Sequence, residues 1–154
     1  MHNVNNQVFT SAGTPGVQPI FFILYTYLIH ILPLATIDNV GVSGCAEDAK
    51  ECVLKRNSNA TISIDFTPSV EVDKLETEVH GIIMNLPVPF PLPQPDACHD
   101  SGLKCPIKAG TKAAYATTLP ILKSYPKVKV DVKWELKNDK DESIICIMIP
   151  AKIN

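Results

Sequence analysis

From about residue 36 onward, apolar and polar positions alternate along the chain with a period of two. The clearest run is Lys127–Leu136. Val128, Val130, Val132, Trp134 and Leu136 fall on one parity, and Lys127, Lys129, Asp131, Lys133 and Glu135 on the other. A helix would scatter these residues around its circumference, so the run predicts a strand with one buried and one solvated face. Thr61–Phe66 repeats the pattern, with Ile62, Ile64 and Phe66 on one side and Thr61, Ser63 and Asp65 on the other. Leu75–Leu86 predicts a second long strand that becomes wholly apolar at Ile82, Ile83 and Met84. Ser143–Ile149 is almost continuously apolar, and Asn138–Glu142 forms a polar turn before it. Strands separated by turn clusters, with no convincing amphipathic helix, predict an all-β sandwich or barrel.

Pro87–Pro95 departs from this pattern, with proline at every second position. Proline cannot donate to a β-ladder, so the run cannot be a central strand, and its fixed φ makes it a stiff extended element. A rigid edge or crossover between sheets and the rim of an apolar cavity both fit. A ligand for a proline-binding module fits poorly, because Val88, Phe90 and Leu92 would expose apolar surface to water.

The first third of the chain is of another kind. Met1–Gln18 is polar, with Gly13, Pro15 and Gly16 as loop signals. Residues 20–34 then run apolar without a formal charge. The stretch is short for a transmembrane helix, which needs about 20 residues, and fits the hydrophobic region of a secretory signal. The region before it lacks Lys and Arg, and Pro33 stands where a cleavage site after Ala35 would want a small residue. A buried strand, a signal anchor or a misassigned start are the alternatives. The expected division is an atypical N-terminal segment over 1–35 and a folded domain over 36–154.

The chain has 154 residues, 45 % hydrophobic and 19 % charged, which gives one domain with a real core. A formal net charge of −2 gives no reason to expect nucleic acid as a partner. Of the five cysteines, Cys45 and Cys52, and likewise Cys98 and Cys105, are separated by six residues. Structural zinc pairs are usually two to four residues apart. The wider spacing suits loops closed by disulfides, which implies an oxidising compartment. Cys146 is left over in an apolar strand. It reads either as a buried free thiol or as a residue whose partner is missing from this chain. Asn59-Ala60-Thr61 is a glycosylation sequon, and Asn59 shares the solvent-facing parity of its strand.

A search for catalytic chemistry yields nothing. His2, His30 and His99 lie at the terminus, in the apolar segment and between Cys98 and Cys105, and His80 shares a strand face with Glu76 and Glu78. Gly41-Val42-Ser43-Gly44 fails the nucleophile-elbow pattern because Cys45 takes the last glycine position. No phosphate loop, dinucleotide fingerprint or metal-ligand cluster is evident, so no enzyme, cofactor or metal is expected.

The stretch Val79–Cys105, with Pro87-Val88-Pro89-Phe90-Pro91 and the cysteines that follow, strongly resembles the Niemann-Pick type C-2 sterol-transfer proteins of the ML lipid-recognition domain family. The resemblance continues through Leu119-Pro120-Ile121, Tyr125-Pro126, Val132–Leu136 and Ile149-Pro150, and backward to Val42–Cys45. It implies an immunoglobulin-like β-sandwich with an apolar cavity between the sheets, disulfides Cys45–Cys52 and Cys98–Cys105, and carriage of a cholesterol-like sterol. The implied lipid-binding residues are Val88, Phe90, Leu119, Pro120, Ile121, Tyr125, Val130, Val132 and Trp134. A secreted or lysosomal monomer that docks on a membrane or membrane protein for transfer follows. Innate-immune lipid recognition and carriage of fatty acids or semiochemicals are the alternative uses of the same fold. Two departures stand out. No cysteine precedes Cys45 to pair with Cys146, which implies a missing or replaced first edge strand and the loss of a bridge contributing about 2–5 kcal/mol. Ile147 stands where the family often has tryptophan.

Overall fold

The computed structural model describes residues 2–3, 33–46 and 49–154. Most of the apolar stretch at 20–34 lies outside them. Among the described residues the strands are β1 (His2–Asn3), β2 (Ala35–Val42), β3 (Cys52–Leu54), β4 (Ser58–Pro68), β5 (Glu76–Ile83), β6 (Leu86–Pro89), β7 (Ala113–Ile121), β8 (Lys129–Lys137) and β9 (Ser143–Ile153). They form two sheets. The larger has the order β1-β9-β8-β5-β6, with β3 also pairing with β9, and the smaller has the order β2-β4-β7. All pairs are antiparallel except β3 with β9. The expected edge strand is replaced rather than missing, since His2 and Asn3 pair with Met148 and Ile147.

The alternation in the sequence accounts for the packing. Val130, Val132, Trp134 and Leu136 of β8 are buried, flanked in register by Gly81 and Val79 of β5 and by Ile145, Ile147 and Ile149 of β9. Ile62, Ile64 and Phe66 of β4 and Tyr115, Leu119 and Ile121 of β7 supply the facing layer. Fully burying side chains of this size contributes about 1.5–3 kcal/mol each. The result is an all-β sandwich, as expected.

Two local expectations are corrected. The predicted strand Leu75–Leu86 is a hairpin that turns at Met84 and Asn85, both with positive φ (51° and 65°). Two successive left-handed residues are what a tight turn between right-twisted strands requires. Met84 is therefore 91 % exposed at the tip rather than buried. Glu135, placed on the solvated face by parity, is only 7 % exposed. It stands mid-sheet between Glu78 and Cys146, and Lys133, two residues back on the same strand, reaches it at 3.2 Å. On the same outer face Lys137 bonds Glu78 at 2.7 Å and holds its carboxyl below the usual carboxylate range.

Cys45 bonds Cys52, and Cys98 bonds Cys105 within the connection from β6 to β7. Cys146 is a free, buried thiol on the outer face opposite Glu135. Burial, and then the nearby carboxylate, push its pKa up.

The hairpin generates a prediction. Asn85→Val places a β-branched residue at positive φ and is expected to lower stability by about 1–2 kcal/mol. Asn85→Gly is expected to be neutral within about 0.5 kcal/mol in the same urea titration.

Candidate lipid-binding site

One end of the sandwich gathers most of the expected binding residues. Phe90 follows β6 directly, and its N–H donates to the Val79 carbonyl at 2.9 Å, so the proline run stays on the edge of the large sheet. Its ring lies across Gly81 of β5. A Cβ built on Gly81 would come within 2.2 Å of the Phe90 ring and 3.0 Å of a Val130 methyl. The glycine is needed here for close approach. Tyr125, in the loop after β7, meets Phe90 edge to face, with ring centroids 5.1 Å apart and planes at 88°. Such a pair contributes about 0.5–1.5 kcal/mol beyond its buried area. Both rings are half-buried and pack against the core.

A narrow apolar gap lies between the sheets, lined by Val42, Leu54, Ala60, Ile62, Leu119, Val132, Trp134 and Ile149. The lining includes Val132, the cross-strand partner of Gly81, so the gap sits one strand in from the aromatic pair. Its volume is about 20 Å³. That is room for roughly one water-sized group, against about 300–1,000 Å³ for an ordinary small-molecule pocket. Where the resemblance implies a cavity, the two sheets leave only this narrow gap, with branched side chains of both sheets lining it. Further in, Thr77 of β5 and Tyr115 of β7 share a buried hydrogen bond of 2.8 Å that joins the two sheets. Among the described residues the Trp134 indole N–H has no partner in hydrogen-bond geometry, although it lies close enough to the Tyr115 hydroxyl to favour that group's ionised form. Burial outweighs this and raises the tyrosine pKa.

Phe90, Tyr125 and Val130 stand together around Gly81, Leu119, Val132 and Trp134 line the gap, and Ile121 is buried at the end of β7. Pro120 is not brought to the gap: it pairs with Asn59, on the parity opposite Leu119 and Ile121. Val88 is 44 % exposed on β6. Gly81 was missed, although an isolated glycine within a strand pattern signals a close backbone approach. No helix among the described residues is long and apolar enough to cross a membrane.

The family model of the ML domain matches residues 31–153. The chain belongs to the ML-domain family. It is 68 % identical over 121 residues to the ecdysteroid-regulated 16 kDa protein of Manduca sexta, covering 79 % of this chain and 83 % of that one. Against the NPC intracellular cholesterol transporter 2 homolog a of Drosophila melanogaster it is 50 % identical over 114 residues, or 74 % and 77 % of the two chains. The crystal structure of a Niemann-Pick type C2 protein from the Japanese carpenter ant superposes with a TM-score of 0.75 at 36 % identity, covering 79 % of this chain and 93 % of that one. The ML domain described here is accordingly of the Niemann-Pick C2 kind, in a family of non-enzymatic lipid carriers.

Filling the space over Gly81 tests the entrance. Gly81→Val is expected to displace the Phe90 ring, change the near-ultraviolet circular dichroism and cost about 1–3 kcal/mol by overpacking. Adding Phe90→Ala to it is expected to recover part of that loss on thermal unfolding.

Proposed function

We propose that this chain carries a sterol between the two sheets, taken in and released past Phe90 and Tyr125. The observation that carries this reading is the apolar gap of the sandwich, bounded by an aromatic pair, in a family whose similar members include named cholesterol transporters. A sterol burying roughly 400 Å² of apolar surface would gain about 10 kcal/mol gross at ~25 cal/mol per Å². Lost ligand freedom and parting of the sheets reduce that gain. Micromolar or tighter binding remains within reach without covalent chemistry.

Met84, Leu86 and Val88 on the β5–β6 hairpin and Leu122 in the Tyr125 loop are exposed apolar side chains beside the entrance. They favour docking on a membrane surface or membrane protein during transfer, with the protein acting as a monomer. The two disulfides and the exposed Asn59 favour a secreted or lysosomal protein glycosylated at that residue. The division at residue 36 is kept as part of this proposal.

Titration with a fluorescent sterol tests the site. Phe90→Ala or Tyr125→Ser is expected to weaken binding roughly 10-fold or more, as truncation of a buried aromatic ring implies, with far-ultraviolet circular dichroism unchanged. Unaltered affinity in both variants would remove these residues from the site. Native mass spectrometry of the secreted protein gives the ligand mass, and a fatty acid in place of a sterol would overturn the sterol assignment.

A further inference from the structure

Arg56 stands half-buried in the turn between β3 of the large sheet and β4 of the small one. Its backbone is held from both sides. The Arg56 N–H donates to the Asn154 carbonyl at 2.9 Å, the Asn154 N–H donates to the Leu54 carbonyl at 2.9 Å, and the Asn57 N–H donates to the Ile121 carbonyl at 2.7 Å. From this seat the Arg56 Nη1 donates to the carbonyls of Lys123 at 3.1 Å and Tyr125 at 3.4 Å. None of the ion pairs among the described residues involves Arg56. Its guanidinium is directed at backbone rather than at a carboxylate.

The segment it holds has little other support. Leu122, Lys123 and Ser124 are exposed, and the turn contributes a bond of its own from the Tyr125 N–H to the Leu122 carbonyl at 3.1 Å. Yet this segment delivers the Tyr125 ring to Phe90. A guanidinium stays charged at every physiological pH, and its bonds to carbonyls are charge-assisted. The turn also spans the two sheets, so parting them near the entrance disturbs the seat of the residue that holds the loop.

We propose that Arg56 is a positioning residue for the entrance: by gripping the carbonyls of Lys123 and Tyr125 it keeps Tyr125 against Phe90, and so sets how fast a lipid is taken up and released. This deepens the carrier reading and rests on it. Loops that must open before a ligand passes commonly govern such rates.

The test uses the whole protein, with Arg56→Gln to remove the charge and Arg56→Lys to keep it on a point donor. Amide hydrogen exchange without ligand is expected to be about tenfold faster at Tyr125 in Arg56→Gln, with amides in the β4–β7 ladder unchanged. Stopped-flow fluorescence is expected to show uptake and release of N-phenyl-1-naphthylamine, and of dehydroergosterol, both accelerated by a similar factor, so that affinity moves less than either rate. Arg56→Lys is expected to fall between. An unchanged Tyr125 amide, or a released loop with no faster uptake of either probe, would overturn the proposal. Faster naphthylamine exchange in a protein that does not bind dehydroergosterol would sink the sterol reading and leave the positioning role standing. Should Arg56→Gln fail to fold, nitrogen-15 spectra of the wild-type guanidinium decide: hindered Nη rotation supports the grip, and free rotation refutes it.

Discussion

Cys45, just beyond β2, and Cys52, at the head of β3, tie the small sheet to the large one where β2 lies against β9. Closing so short a loop contributes about 2–3 kcal/mol through the unfolded chain, but its position matters more than its magnitude. Elsewhere, where Tyr115 of β7 meets Thr77 of β5, the sheets are joined by weaker means. Deep inside there is the Thr77–Tyr115 hydrogen bond, and at the end there is the Phe90–Tyr125 ring contact. The Cys98–Cys105 bridge is internal to one connection and does not cross between strands of the two sheets. On the proposed carrier reading, the edge without a bridge between the sheets is the one that would part for a lipid. Met84, Leu86, Val88 and Leu122 are exposed toward the end that carries the ring contact, and Val53 is exposed beside Cys52.

The closed slit makes this asymmetry important. Branched side chains from both sheets meet across a space of about 20 Å³, so a lipid cannot occupy it without separating them. Were Ile62 or Leu119 to move away from the facing Val132 or Ile149, a ligand there would have to supply the dispersion attraction that those side chains gave one another. On the proposed carrier reading, a bound lipid would serve as part of the core, and net affinity would be the difference between two similar packing energies. Polar cavity walls would raise the cost of the closed state, because their unpaired groups would lack water. The lining residues are accordingly apolar apart from the Trp134 N–H, which lies beside the Tyr115 hydroxyl.

Much of this was legible in the sequence because strand parity is a local property. Val130, Val132 and Trp134, and Ile62, Ile64 and Phe66, follow from alternation alone, and the proline run follows from the missing donors. The misread hairpin shows where the rule stops: Met84 is as apolar as its neighbours, and the turn is set by backbone conformation rather than by hydropathy. Pro120 was grouped with Leu119 and Ile121 by adjacency in the resemblance, whereas the pleat turns it to the other face. Gly81 carried a usable signal. Arg56 carried none, since a cation in a polar turn looks like ordinary solvated surface, and its partners are carbonyls 67 and 69 residues away.

The free thiol of Cys146 bears on how firmly the sandwich is held. It is buried on the outer face, and burial together with Glu135 keeps it protonated and so a poor nucleophile. Beside it, β1 joins β9 through backbone pairing at Ile147 and Met148. A backbone hydrogen bond adds only about 0.5–1.5 kcal/mol net, so this edge has none of the chain-entropy gain of a cross-link. More of the stability must then come from the apolar layer between the sheets, the layer that would part for a lipid on the proposed reading. On that reading stability and exchange would be coupled through one surface. Filling the slit more tightly to stabilise the fold would slow uptake, and loosening it to speed uptake would draw on the interactions that keep the two sheets together.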